Sequence, residues 1–307
     1  MMNATGDAPS KRQRTKRAVS RTKLIGWLGL LPFAVFMTLF LVIPVLFNFW
    51  RSLHDSSGAW SLQPLRGIFA PEYLNAYVNT IKLSLVTALL GGLLGLLLAW
   101  ALCTATKPRW LAKIMLSFSA VASQLGGVPL AFAFIALMGT EGVLTVAIRN
   151  VSGVDISKFL DLSSFWGLTV VYLYFQIPLM AVLIMPSILG LKKEWSESSA
   201  ALGASPLQTL MRVTIPVLTP AIIGTMLLLF ANAFAAYATA YALSGGSANL
   251  IAIMVGVFLT GNVFGDETFG AALIVGMIAI ILVAFIMRSV LERRTAKWLP
   301  CLLIHRT

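Results

Sequence analysis

Apolar positions in this chain do not recur with the period of an amphipathic helix or a half-buried strand. They run on without interruption. Segments free of Asp, Glu, Lys and Arg extend over residues 24–50, 83–106, 114–140, 162–191, 213–265 and 268–287. Each is about 20 residues or longer, and about 20 residues of helix cross a hydrocarbon layer of about 30 Å. Where no water can bond to backbone N–H and C=O groups, such runs have to be helical. The pattern predicts an all-α polytopic membrane protein with six transmembrane helices at 24–50, 76–106, 114–139, 163–190, 217–243 and 267–290. Outside segments fall at 51–75, 140–162 and 244–265, an inside turn at 107–113 and an inside loop at 191–216. Tails at 1–23 and 291–307 flank a membrane domain at 24–290.

The run 213–265 is long enough for two spans, so the pattern alone allows six or seven. Its interior holds the turn signal 244-SGGSAN-249 and then 250-LIAIMVGVFLTG-261, which suits a re-entrant or interfacial helix better than a crossing. Charge decides the count. With six spans and an internal N-terminus, 18 of the 23 Lys and Arg lie inside. Arg51, Arg66, Arg149 and Lys158 lie outside, and Lys82 sits near the outer end of span two. A seventh span would put the basic C-terminus outside, against the positive-inside rule. Both termini are therefore expected in the cytoplasm.

Composition narrows the chemistry. Hydrophobic residues make up 58% of the 307 and charged residues 11%, against roughly 25% charged in a soluble domain. The net charge of +12 is concentrated in 11-KRQRTKRAVSRTK-23, which abuts the first span and has no interleaved aromatics. That points to topology and attraction to anionic lipid rather than to nucleic acid. The first apolar run is too long for a signal peptide and has no small-residue cleavage site. Cys103 and Cys301, like His54 and His305, lack neighbours at metal-ligand spacing, so neither a metal site nor a disulfide is expected. There is no phosphate-binding glycine loop, no nucleophile elbow and no carboxylate at mid-membrane depth. The expectation is a non-enzyme with no cofactor of its own. If ATP and Mg are used, a separate chain binds them.

Within the spans, Gly91 and Gly95 share one helix face, as at a close packing seam. The stretch 125-LGGVPLAF-132 reads either as a kink in a packed helix or as a broken helix exposing backbone to a pathway. Lys82 can snorkel to the interface. Gln124, Gln176, Asn232, Tyr237, Thr239 and Tyr241 are polar groups in apolar runs, which either line a path or join helices. All but Thr239 are taken as candidates for a substrate pathway.

The stretch 194-EWSESSAALGASPLQTLMRVTIPVL-218 interrupts the apolar pattern. A first helix would end at Gly203, where a left-handed residue is expected. Ser205 then precedes Pro206, with Gln208 three residues on, the signature of a capped second helix. Pro216 is expected to interrupt that helix before span five. Helix, glycine turn, helix is the prediction. An ordinary amphipathic connector would look similar.

The spacing resembles the cytoplasmic signature loop of permease subunits in binding-protein-dependent ATP-binding-cassette importers. That pattern is Glu-Ala-Ala, three residues, Gly, nine residues, Ile-x-Leu-Pro. Here the matching positions are Glu197, Ser198, Ser199, Gly203, Val213, Ile215 and Pro216. The two alanines are serines in this chain. The opening of span two, 79-NTIKLS-84, the approach from 177-IPLM-180 to Glu197 and the six-span layout are also similar to the family. The resemblance implies a type I ABC importer permease-like fold in the bacterial cytoplasmic (inner) membrane. It implies a coupling loop containing Glu197, Ser198, Ser199, Gly203, Ala204, Ser205 and Pro216 that docks on a cytoplasmic ATPase dimer. Its further partners would be a second permease subunit, identical or different, and an external substrate-binding protein. Residues 226–253 and 261-GNVFGDETFG-270 resemble the spermidine/putrescine-type branch, which implies a polyamine substrate met by Glu141, Asp266 and Glu267 at the outer mouth and by Phe234, Tyr237 and Tyr241 inside. A gradient-driven secondary transporter and a non-transporting scaffold are the rival readings.

Overall fold

Six helices in the computed structural model are long and apolar enough to cross a membrane, among the residues it describes: 30–55, 57–104, 109–155, 157, 160–260 and 267–296. The chain is all-helical, as its uninterrupted apolar runs require. Among the described residues the one pairing of extended backbone is an isolated bridge between His54 and Trp60.

The first crossing helix, α1, covers Leu30–Arg51 and has no buried residue in its apolar window. It leans on the last helix, and the side chain of Arg51 pairs with Glu267 at the start of that helix. A short α2, Gln63–Gly67, leads into α3, Pro71–Thr104, the longest helix. Helix α4 spans Arg109–Gln124, α5 Gly127–Met138 and α6 Val143–Ser152. Helix α7, Phe165–Leu189, is the centre of the bundle: its apolar window is 56% buried, more than that of any other crossing helix. Ser164 caps its start by accepting from the Gly167 N–H at 3.1 Å.

After α7 come α8, Lys193–Ala201, and one continuous helix α9, Pro206–Phe234. Then follow α10, Tyr237–Ser244, α11, Ile251–Thr260, and α12, Glu267–Ala296. The short α11, 10 residues long, is too short to cross a membrane as a helix. Its first residue is tied to the bundle where the buried Thr80 hydroxyl of α3 accepts the Ile251 N–H at 2.9 Å.

Several boundaries differ from the sequence pattern. The span expected at 114–139 is two helices, α4 and α5, separated at Leu125–Gly126, and the third crossing candidate lies over Gly127–Ser152. The supposed turn at 107–113 is already helical from Arg109, and the supposed loop at 140–162 contains α6. The span expected at 217–243 breaks after Phe234, at a place with neither Gly nor Pro. Pro216 does not stop its helix. The helix takes π geometry over Leu210–Thr214, just before that proline, and α1 does the same over Thr38–Val42, just before Pro44. A proline lacks an N–H and crowds the carbonyl four residues back. Widening the preceding turn accommodates both defects without ending the helix.

Three buried clusters hold the bundle. One joins Tyr172 and Phe175 of α7 to Leu130 of α5, Leu243 of α10 and Ile253 of α11. The second packs Met180 and Ile184 of α7 on Leu218 and Leu229 of α9. The third sets Phe234 between Tyr77 of α3 and Leu273 of α12. Helices α3 and α7 make the most extensive contact, and glycine permits it. A Cβ placed on Gly91 would lie 2.7 Å from the Cβ of Gln176, and one on Gly95 would collide with the Ile177 carbonyl oxygen and Met180. The expected packing seam is therefore real. Inserting side-chain bulk at such a contact costs typically about 1–3 kcal/mol. Gly91→Leu and Gly95→Leu are expected to lower the melting temperature of the purified protein, with Gly95→Leu the worse because backbone is what it meets. An unchanged melting curve for both would contradict the seam.

Candidate functional site: a broken-helix cavity and a helical elbow

Two helix breaks meet in space. The first lies at Leu125–Gly126, between α4 and α5; Gly127 then starts α5 at φ +73°. Left-handed backbone of this kind suits glycine because no Cβ is present to clash. The second lies at Ala235–Ala236, between α9 and α10. Thr239, buried in the first turn of α10, bridges them: its hydroxyl accepts the Gly127 N–H at 2.8 Å and lies 3.3 Å from the Gly127 carbonyl oxygen, to which it can donate. On the other side the Tyr172 hydroxyl of α7 donates to the Ala236 carbonyl at 2.8 Å. Three backbone groups beside the breaks are thus met by side chains, in keeping with the need to pair polar backbone in an apolar surrounding.

Around these breaks is a cavity of about 480 Å³ whose lining includes Ser123, Gln124, Asn232, Ala236, Tyr237 and Thr239. Of the five pathway candidates, it gathers Gln124, Asn232 and Tyr237. Gln124 and Asn232 are exposed on its open side. Tyr241 lies behind, its ring stacked on Tyr237 at 5.3 Å. Gln176 is elsewhere: it is fully buried between α3 and α9, and its side-chain Nε2 donates to the Leu229 carbonyl at 3.0 Å. It serves helix packing. Among the described residues, none that lines the cavity is charged. The acids expected to greet a cation at the outer mouth are engaged, Glu267 with Arg51 and Glu141 with Arg149 at 3.5 Å; Asp266 lies outside the described residues.

Sequence reasoning did not single out Ser123 or Ala236, and counted Thr239 only as a polar group. The paired glycines at 126 and 127 gave warning of one break. Nothing in 233-AFAAYA-238 announced the other, because only the partners Tyr172 and Thr239 reveal it.

The second feature is the elbow formed by α8 and the start of α9. Gly203 sits at φ +82°, its N–H bonds the Ala200 carbonyl at 2.9 Å, and the Ala204 N–H bonds the Ser199 carbonyl at 3.1 Å. This double closure terminates α8 and reverses the chain. Ser205 and Gln208 then form a reciprocal capping box at the start of α9. The Ser199 hydroxyl turns inward and bonds the Thr209 hydroxyl, bracing one arm against the other. Ser198 and Glu197 are exposed, and Glu197 has no ion pair among the described residues. Leu202, at the tip, is 88% exposed, and Leu207 and Met211 are exposed beside it.

Residues 91–297 match the family described as the binding-protein-dependent transport system inner membrane component. Among curated relatives, the probable sulfate transport system permease protein cysT of Nephroselmis olivacea is 28% identical over 73% of this chain and 75% of its own length. The sulfate transport system permease protein CysT of Synechococcus elongatus is 30% identical over 59% of this chain and 61% of its own. The trehalose/maltose permease MalF of Thermococcus litoralis is 23% identical over 76% and 81%. In fold, the chain is similar to a chain of a bacterial ABC transporter that imports alginate, with a TM-score of 0.67 over 92% of this chain and 99% of that one at 16% identity. A bacterial alginate ABC transporter in complex with alginate pentasaccharide-bound periplasmic protein gives a TM-score of 0.70 over 91% of this chain and 96% of that one, again at 16% identity. These sequence relatives are named for sulfate and for sugars, so the expected likeness to the polyamine branch gains no support from them.

The geometry makes Thr239 the residue that holds the two breaks together. Thr239→Val keeps the shape but leaves the Gly127 N–H without its acceptor, a loss of about 1–3 kcal/mol. The variant is expected to melt at lower temperature, while Thr239→Ser keeps the wild-type curve. Equal melting of all three would remove Thr239 from this role.

Proposed function

The chain belongs to the family of inner membrane components of binding-protein-dependent transport systems, and from that premise we propose that its broken-helix cavity is half of a solute path and its elbow the handle by which an ATPase moves it. It is a multi-pass membrane protein and a transporter component, not an enzyme. The observation that carries the mechanism is the braced elbow: two short helical arms fixed at a left-handed glycine, with a carboxylate on one arm that has no ion pair among the described residues, and an apolar tip.

A rigid elbow transmits displacement. Because α9 runs unbroken from Pro206 to Phe234, a push at its first turn reaches the break at Ala235–Ala236 beside the cavity. In this reading Leu202 and Leu207 enter a groove of a cytoplasmic ATPase subunit. Glu197 pairs there with a basic side chain, a charge-assisted contact stronger than a neutral one. Closure of an ATPase dimer on ATP then tilts α9 as a rigid body and alternates access to the cavity. Gln124 and Asn232 face the open side, where a second permease subunit completes the path, and a loaded binding protein biases the equilibrium from the other face of the membrane. The same placement puts the elbow and both termini in the cytoplasm.

For the solute, the lining favours an oxyanion over a polyamine. The cavity offers amides, hydroxyls and the N-terminal ends of α5 and α10, whose dipoles favour negative charge. It offers a polycation no counter-charge. The names of the sulfate relatives agree with this.

Two experiments test these statements separately. Glu197→Lys and Gly203→Asp are expected to abolish co-purification with the ATPase or to uncouple ATP hydrolysis from uptake, while membrane insertion persists. Full transport by both variants would sink the elbow mechanism. For the solute, Asn232→Asp places a carboxylate in the cavity, where two like charges about 4 Å apart cost about 4 kcal/mol at an effective dielectric of about 20. Sulfate uptake by the assembled transporter should fall at least about tenfold. Putrescine uptake by the wild type, with no sulfate uptake, would reverse the assignment.

A further inference from the structure

On the inner side of the elbow lies a second cavity, of about 520 Å³, that the proposed transport cycle does not use. Lys192 and Lys193 line it from the start of α8, Trp195 from the same helix, Trp100 from the far end of α3, and Leu210 and Val213 from the widened turn of α9. The exposed tip residues Leu202 and Leu207 are not part of its lining, so the face offered to the ATPase and this cavity are different surfaces. Neither lysine has an ion pair among the described residues, and neither indole N–H has a hydrogen-bond partner among them.

We propose that this cavity binds the headgroup of one anionic phospholipid from the adjacent leaflet. Three kinds of group come together here. Two ammonium groups supply the counter-charge for a phosphate. Two half-buried indoles, their N–H groups without a partner among the described residues, face the cavity: Trp195 from α8, and Trp100 from the end of the crossing helix α3, where such rings prefer the headgroup level. Leu210 and Val213 continue the lining along α9 toward the bilayer, giving the first carbons of an acyl chain an apolar track. Basic cavities between crossing helices on the cytoplasmic side have the chemistry to hold anionic headgroups. Glu194 is adjacent in sequence and does not line the cavity. The bound lipid would wedge between α8 and the end of α3, so it would stiffen the elbow against the bundle and set how much of an ATPase stroke reaches α9.

This rests on the cytoplasmic placement of the elbow. The test uses the assembled transporter, with its ATPase and binding protein, in nanodiscs of phosphatidylcholine containing 0–40 mol% phosphatidylglycerol. Binding-protein-stimulated ATP hydrolysis is expected to rise several-fold with phosphatidylglycerol. Lys192 and Lys193 should become several-fold less reactive to an amine-labelling reagent over the same range. Lys192→Gln with Lys193→Gln should flatten the lipid dependence, and the paired Arg variants should retain it. Glycerol phosphate added in solution to phosphatidylcholine discs should not reproduce the effect; if it does, the ligand is a free phosphate and the lipid assignment fails. An identical lipid response in the Gln pair overturns the proposal, as does lysine protection that follows ATPase binding and ignores lipid. If the Gln pair does not assemble, labelling of the wild type alone still decides. Cross-linking of Leu202→Cys to the ATPase reports on the elbow mechanism independently, so failure of one reading is not mistaken for failure of the other.

Discussion

A backbone amide inside hydrocarbon has no water to turn to, and each place where a crossing helix stops short has to find its hydrogen bonds within the protein. In this chain that demand is met at two adjacent breaks by three side-chain contacts. Thr239 serves both polar groups of Gly127, and Tyr172 caps the Ala236 carbonyl. Without these, the Gly127 N–H would lose its acceptor, at a cost of about 1–3 kcal/mol. The same demand explains the π turns before Pro44 and Pro216, where the helix continues by changing its own geometry instead of borrowing a side chain.

From that constraint follows a division of labour. Helix α7 is buried against α3 through a glycine seam and carries Tyr172 to the break. Helix α9 runs unbroken from the elbow to Phe234, and in the proposed mechanism it is the rod that moves. The elbow itself is stiff for local reasons: a left-handed glycine closure, a reciprocal cap and a hydroxyl brace from Ser199 to Thr209. Where the family pattern has alanine, the Ser199 hydroxyl points inward, so the change reinforces the bend and leaves the outer face to Glu197, Ser198 and Leu202.

The surface expected to face outward carries fewer free acids than its sequence suggests. Arg51 with Glu267 and Arg149 with Glu141 turn two of the three expected carboxylates into ties within the protein. One of these ties anchors the otherwise unburied α1 to α12. Ion pairs this exposed stabilise weakly, by about 0–1 kcal/mol. In the proposed path this leaves the amides and hydroxyls of the cavity lining as the described groups that a solute would meet.

Apart from the helix that runs on through Pro216, what sequence determined by itself was set by local physics: helices along the described parts of the charge-free runs, the glycine bend, the capping box and the seam at Gly91 and Gly95. These follow from desolvation and backbone geometry, which act over a few neighbouring residues. Only the tertiary structure decided that Gln176 packs while Gln124, Asn232 and Tyr237 share a cavity, because polar groups of similar character differ solely in which helix faces them. Only it revealed the break at Ala235–Ala236, since alanine prefers to continue a helix and the groups that hold this one open come from α7 and, through α10, from α5.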